Sequence, residues 1–110
     1  MKLTYVIKYV EDMDRAIKFY TEQLGLALRF QSPEWSELET GETTLALHSA
    51  SPEHPAGTSQ LGFGAPDIDK FYAEKSGNGV EFTSAPVDSF GVRIAKFKDS
   101  EGAECSVSGK

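Results

Sequence analysis

Few side chains in this sequence are suited to covalent catalysis. Cys105 is the only thiol, and no histidine or helix N-terminus lies near it in sequence to lower its pKa. We therefore predict that Cys105 is a buried structural residue. Of the two histidines, His48 ends a strand-like stretch, and His54 lies in a Pro-rich segment where we expect it to be exposed. The chain contains no Gly-x-Ser-x-Gly elbow, phosphate-binding loop or dinucleotide fingerprint, which disfavours those chemistries.

Other side chains suit ligand binding. Trp35 follows Pro33 where a loop becomes a strand, and its indole ring can stack on a planar molecule at low entropic cost. Packing across a dimer interface or beneath a linker explains Trp35 equally well. Phe90 and Arg93 stand at a turn and a strand end, where they are candidates to line the mouth of a site, although Arg93 is more simply a surface residue. The acidic run around Glu37 is explained by alternation along an exposed strand.

The elements that position these residues form a repeat. Asp12 and Asp67 each open a segment with helical periodicity, with an offset of 55 residues, and Gly25 and Gly79 close the two segments with an offset of 54 residues. Each segment follows one strand-like stretch and precedes three more, so each half has the pattern βαβββ. Units this small cannot bury their own apolar faces, which predicts that the two halves complete a common core or pocket.

The predicted organisation is one domain over residues 1–110, with a first module at about 1–50, a linker at about 50–58 and a second module at about 59–110. The predicted strands are residues 3–10, 26–30, 35–38, 43–48, 59–64, 80–83, 92–97 and 104–108, with one helix over 13–24 and another that starts at or near Pro66 and ends by residue 79.

Composition narrows the function classes. The chain has 110 residues, 39% of them hydrophobic, and a formal net charge of −6, so it is long enough for a single core. The negative charge disfavours nucleic acid and anionic membranes as partners. No apolar run is long enough to span a bilayer, and residues 1–4 lead straight into a strand-like stretch, which indicates a cytoplasmic protein. The single cysteine fits a reducing compartment.

Two motifs carry a resemblance to a known family. Residues 10–20 (VEDMDRAIKFY), continuing to Leu24-Gly25-Leu26, and the turn at residues 97–102 (FKDSEG) together resemble the vicinal oxygen chelate superfamily. That superfamily includes glyoxalase I, bleomycin resistance proteins, fosfomycin-thiol transferases and extradiol dioxygenases. The resemblance implies an α+β fold in which two tandem βαβββ modules form a curved mixed sheet, a cup, and it implies a homodimer.

The resemblance also identifies where relatives hold a divalent metal. Their His, Glu or Gln ligands match Tyr5, Ala46, Gln60 and Ser106 of this sequence. At most one of these four residues can ligate, so we predict that the metal is lost and that no other cofactor replaces it. A shift of two residues on two strands would instead offer His48 and Glu104 beside Gln60, still without a ligand from the first strand.

Without the metal, the resemblance implies a cup lined by aromatic and weakly polar side chains. The predicted ligand-binding residues are Tyr5, Ile7, Trp35, His48, Gln60, Phe90, Arg93 and Ser106. Tyr5 is explained more simply as core or lining without direct contact. The expected function is non-catalytic sequestration of an aromatic or heterocyclic drug or toxin, as in bleomycin resistance proteins, with cationic ligands favoured by the acidic charge. Two alternatives stay open: a metal-dependent lyase, isomerase or thiol transferase of the glyoxalase type, and a scaffold without ligand that acts through its dimer surface.

Overall fold

A computed structural model describes all 110 residues, Met1–Lys110. The chain divides into two compact units: a first unit of residues 4–59, and a second unit of residues 60–110 together with residues 1–3. Strand and helix order follows βαβββ twice along the chain, with parallel and antiparallel strand pairs in each half. The predicted α+β class with two βαβββ modules of mixed strand pairing is therefore confirmed. The helices are all too short and too polar to span a lipid bilayer.

The first half contains β1 (Lys2–Val10), α1 (Met13–Lys18), β2 (Ala27–Phe30), β3 (Trp35–Glu39) and β4 (Thr44–Ser49). Asp12 caps α1, because its extended backbone lets the carboxylate accept a hydrogen bond from the Arg15 amide at 3.1 Å. The predicted helix over 13–24 is present, but it is α-helical only as far as Lys18. The helix widens to a π-helical turn at Phe19–Gln23, where the hydroxyl of Thr21 donates to the carbonyl of Ile17.

The sheet of the first unit has the strand order β2-β3-β4-β1, with β1 parallel to β4 and the other pairs antiparallel. One face packs against α1, where Ile17 of the helix meets Leu38 and Leu47, both fully buried. Because side chains alternate along a strand, the odd-numbered residues of β1 and β3 lie on the opposite face. That opposite face carries the candidate site.

The second half contains β5 (Ser59–Ala65), α2 (Ile68–Gly77), β6 (Phe82–Ser89), β7 (Val92–Lys98) and β8 (Glu104–Gly109), with the strand order β5-β8-β7-β6. Asp67 caps α2 as Asp12 caps α1, with the Lys70 amide as donor at 3.1 Å. Strand β6 is longer than the predicted 80–83 and includes Pro86, which an edge strand tolerates. In the hydrophobic core of the second unit, Ile68 of α2 packs against Ala95 of β7 and Val107 of β8.

Candidate ligand-binding site

An aromatic surface, defined here as Tyr5, Tyr9, Trp35 and His48, covers the face of the first sheet that α1 leaves open. Strand register places Tyr9 opposite His48 and His48 opposite Trp35. The Trp35 and His48 ring centroids are 6.0 Å apart at an interplanar angle of 86°, and those of Tyr5 and Trp35 are 5.7 Å apart at 68°. Tyr9 is buried, whereas Tyr5, Trp35 and His48 are only partly buried. Their rings are therefore held in place and still reachable.

Ala46 forms the floor of this surface. It lies opposite Ile7 on β1 and opposite Glu37 on β3, and it is fully buried. Tyr5 and Trp35 pack against the cluster that Ala46 forms with Ile7. A methyl group at this position leaves the two larger rings room to approach each other. Sequence reasoning placed Tyr5, Ile7, Trp35 and His48 at the site, and the structure brings these four residues together.

A polar network borders the aromatic surface. The Arg29 guanidinium donates to Glu37 Oε1 through Nη2 at 3.0 Å and Nε at 3.2 Å, and to Glu39 Oε2 through Nη1 at 3.1 Å. It also donates to the hydroxyl of Thr44. The indole Nε1 of Trp35 donates to Glu37 Oε2 at 2.8 Å. Glu37 thus links the charged network to the ring most suited to stack on a ligand.

Sequence reasoning missed Arg29 and misjudged Glu37. The Glu37 side chain is only 20% exposed, because it is enclosed by its partners, so the prediction of an ordinary exposed strand position is wrong for it. A register shift between Leu28 and Phe30 interrupts the pairing of β2 with β3 at Arg29. No sequence pattern revealed that irregularity; the only available signal was an arginine near two alternating glutamates.

The network acts on the phenol of Tyr5. Burial raises the pKa of Tyr5, the Glu37 carboxylate raises it further, and Arg29 opposes the rise. The phenol therefore stays neutral at physiological pH. The pKa of Arg29 is also raised, foremost by its hydrogen bond to Glu37, so the guanidinium stays charged.

Of the two histidines, His48 lies at the end of its strand as predicted, whereas His54 is less exposed than predicted. His48 Nδ1 lies 2.8 Å from the carbonyl oxygen of Ser49, so a neutral ring carries its proton on Nδ1 and leaves Nε2 as an acceptor. His54 is partly buried rather than exposed, because its ring stacks on Tyr9 with centroids 4.5 Å apart and an interplanar angle of 7°. The segment after β4 folds back along β1, with the Gly57 amide donating to the Tyr9 carbonyl at 2.9 Å.

The predicted site residues of the second unit are more scattered. Gln60 is buried and Ser106 partly buried, and the pairing of Gly62 with Ser106 places Gln60 and Ser106 on one face of their sheet. Phe90 is fully exposed in the β6–β7 turn, with a φ of 49°, so it lines no cavity. Its place in the turn was read correctly, but an aromatic side chain at a hairpin tip has no strand neighbours to enclose it.

Arg93 requires a correction. Its guanidinium lies 3.0 Å from Asp69 on α2 and 3.2 Å from Asp88 on β6. Lys96 of β7 lies opposite Ser106, and alternation therefore turns Arg93 to the other face of the sheet, toward α2. Arg93 ties β7 to α2 and does not share a face with Ser106. Arg93 is therefore paired at the surface, the alternative that the sequence favoured, and the expectation that it lines the same site as Ser106 is not met.

The residues that match the metal ligands of relatives do not fit a divalent ion. Tyr5 and Ala46 share a face, but alanine has no donor atom and a neutral phenol is a poor ligand. No three His, Cys, Asp or Glu side chains lie together in a group that could hold a metal. Of the alternative set, Glu104 accepts a hydrogen bond from Thr83 at 2.8 Å and lies 4.0 Å from the ammonium of Lys96.

Cys105 is a structural residue, as predicted. The thiol is buried on β8, and burial raises its pKa, with Asp99 and Glu104 adding to the rise. A thiol of this kind is a weak nucleophile at neutral pH.

A separate groove lies on the α1 side of the first unit. Its volume is about 530 Å³, and its walls include Arg15, Phe19, Tyr20 and Gly57. Lys8 in this groove already donates to the Gly57 carbonyl at 2.6 Å. The groove is lined by three cationic and three anionic side chains, so their net charge favours neither sign of ligand: Lys8, Arg15 and Lys18, and Glu11, Asp12 and Glu22. Of the aromatic surface, only Tyr9 lines this groove; Trp35 does not.

Comparison with known proteins shows the family. The sequence pattern of the Glyoxalase/Bleomycin resistance protein/Dioxygenase superfamily matches residues 2–107. Uncharacterized protein YurT of Bacillus subtilis (strain 168) is 33% identical over 121 residues, covering 93% of this chain and 94% of YurT.

Solved structures show the same fold. Hypothetical protein BH1468 from Bacillus halodurans C-125 has a TM-score of 0.86 at 22% identity, covering 99% of this chain and 94% of BH1468. Methylmalonyl-CoA epimerase from Mycobacterium tuberculosis has a TM-score of 0.82 at 19% identity, covering 98% of this chain and 87% of the epimerase. At these identities the likeness extends to the fold alone. The resemblance read from the sequence is confirmed: the chain belongs to the Glyoxalase/Bleomycin resistance protein/Dioxygenase superfamily.

Proposed function

We propose that the protein binds a small aromatic or heterocyclic molecule on the aromatic surface of the first unit and holds it without transforming it. The observation that carries this proposal is the placement of Trp35. Its indole N–H is fixed by the Glu37 carboxylate at 2.8 Å, and the rings of Tyr5 and His48 contact the indole at steep interplanar angles of 68° and 86°. A ring held in this way gains contact area with a planar ligand while losing little conformational entropy.

The chemistry of the donor groups supports binding rather than catalysis. The positions that match metal ligands in relatives carry side chains that do not fit a divalent ion, and the only thiol is buried with a raised pKa. Glu37 is already engaged by Arg29 and Trp35. A protein of this kind would protect by mass action, so it must be abundant or bind tightly enough to keep the free toxin low.

Quinoline, a neutral bicyclic heterocycle, is a suitable probe, with binding measured by calorimetry. Trp35→Leu should weaken quinoline binding by about tenfold, because a stacked aromatic pair contributes about 0.5–1.5 kcal/mol beyond its buried area. Phe19→Leu is the matched control: Phe19 is an exposed aromatic residue of the same unit, on the α1 side of the sheet. It should leave the affinity unchanged.

Two results would overturn this function. One is equal quinoline affinity in the wild-type protein and Trp35→Leu. The other is stoichiometric zinc, nickel or manganese in the purified protein, together with a turnover activity that chelation abolishes. That second result would favour the glyoxalase-type enzyme.

The binding form that we propose is a homodimer. Its support is the family resemblance and the edge strand β2, whose four residues are all exposed, including Leu28 and Phe30. Light scattering after size-exclusion chromatography measures the mass in solution. A monomer at all concentrations would contradict the dimer and leave the ligand-binding proposal standing.

A further inference from the structure

The ring geometry of the aromatic surface suits a positive charge. Tyr5 and His48 meet the Trp35 ring at 68° and 86°, with centroid separations of 5.7 and 6.0 Å. Because the rings stand at steep angles to one another, their faces point in different directions. Because the face of an aromatic ring is the negative end of its quadrupole, such a corner attracts cations, and tryptophan attracts them most strongly.

The polar network adds a negative charge at the same place. One guanidinium, that of Arg29, is shared between the carboxylates of Glu37 and Glu39, so the three charges sum to −1. Glu37 Oε1 accepts twice from Arg29, and Oε2 accepts once from Trp35. A carboxylate has about four acceptor positions, so one on Oε2 is left for a ligand.

The same network discourages an anionic ligand. Arg29 is the cation of this network, and its Nε, Nη1 and Nη2 atoms already donate to Glu37, Glu39 and Thr44. Four of the five guanidinium N–H groups are engaged in this way, so an anion could reach only the second N–H of Nη1 without displacing one of these acceptors. The electrostatic effect on Tyr5 also indicates a net negative charge here, since Glu37 raises the pKa of Tyr5 more than Arg29 lowers it.

We infer that the aromatic surface selects a ligand that carries a positive charge, as an alkylammonium group or an N-alkylated heteroaromatic ring. The charge would lie against the indole face of Trp35 and beside Glu37. This inference rests on the proposed function, because it assigns the ligand class of the same site. It requires no bond to form or break.

The test compares two probes of nearly the same shape. Quinoline and N-methylquinolinium are both planar bicycles, and only the second is charged when the pH is well above the pKa of quinoline. Calorimetric titration of the wild-type protein should show N-methylquinolinium binding about tenfold more tightly, the change expected for a cation over a partly desolvated ring. Raising the ionic strength should narrow but not remove the difference, because the site is partly buried.

Two variants locate the source of the preference. Glu37→Gln should reduce the preference to about twofold, because it removes the negative charge and replaces it with a side chain of nearly the same size. Glu22→Gln changes the net charge equally but lies in the π-helical turn on the α1 side of the sheet, so it should keep the tenfold preference. The wild-type comparison stands even if Glu37→Gln folds poorly.

The outcomes separate this inference from the proposed function. Equal affinity for the two probes, with both affinities lost in Trp35→Leu, would overturn the cation preference and leave the binding function intact. The same loss of preference in Glu22→Gln as in Glu37→Gln would also overturn it, since net charge alone would then be responsible. Binding of neither probe would overturn the proposed function itself.

Discussion

Replacing Glu37 with glutamine tests whether the network holds the candidate site together. The carboxylate accepts three hydrogen bonds, from Trp35 at 2.8 Å and from Arg29 at 3.0 and 3.2 Å. A glutamine side chain has only one acceptor oxygen, so it can serve Arg29 or Trp35 but not both. Its amide nitrogen would then face a donor.

The size of the stability loss in Glu37→Gln depends on how deeply the hydrogen bonds of Glu37 are buried. Hydrogen bonds to charged groups contribute about 1.5–3 kcal/mol when buried, but pairs between exposed ions contribute only about 0.2–1 kcal/mol. Glu37 is 20% exposed and Arg29 40% exposed, which lies between these limits. We expect Glu37→Gln to lower the free energy of unfolding by about 1–2 kcal/mol, or Tm by about 4–10 °C for a domain of this size.

Urea denaturation followed by tryptophan fluorescence measures the loss, and Trp35 is the only tryptophan. Glu39→Gln is the matched control. Glu39 is 48% exposed and takes one bond from Arg29, so its replacement should cost about 0.5 kcal/mol. Equal losses in the two variants, or an unchanged emission spectrum in Glu37→Gln, would refute the claim that Glu37 fixes the indole.

Three other predictions concern the remaining features of the chain. Gly109→Ala should destabilise the protein by about 2 kcal/mol or more in urea denaturation, because an added Cβ would lie 1.8 Å from the Ala65 carbonyl oxygen; wild-type stability would show that this strand pair relaxes easily. Cys105 should react with a thiol reagent at neutral pH only after urea unfolds the protein, and rapid labelling of the folded protein would contradict its burial. Because the pKa of Tyr5 is raised on folding, the unfolded chain ionises first as the pH passes about 10, so the stability that Tyr5 contributes is present below that pH and is lost above it. Denaturation across this range should show a shallower decline for Tyr5→Phe, and identical slopes would argue against the shift.

The fold could be predicted from the sequence because its signals are local and occur twice. Asp12 and Asp67 cap the two helices, and glycines with positive φ, Gly25 and Gly79, follow them. After each glycine, the alternation of apolar and polar residues indicates the strands. The length of β6 was missed because Pro86 and the polar residues around it mask a strand that lies at the sheet edge.

The site was only partly predictable because it depends on pairing between strands. Trp35 stood out by residue type and Tyr5 by the family resemblance, but the role of Arg29 depends on a register shift in β2 that no local pattern marks. The face on which Arg93 lies could not be predicted for a similar reason, since the pairing of β7 with β8 decides which way its side chain points. His54 lies in a segment of turn-forming residues, and only its approach to β1 brings it onto Tyr9.

The most direct test of ligand binding at Trp35 is a titration of isotope-labelled protein with quinoline, followed by amide and indole N–H chemical shifts. We predict that the single indole signal moves most and that the shifted amides cluster on β1, β3 and β4. Shifts confined to the groove around Arg15, Tyr20 and Gly57, with the indole signal unmoved, would place the ligand on the opposite face of the sheet and contradict the account.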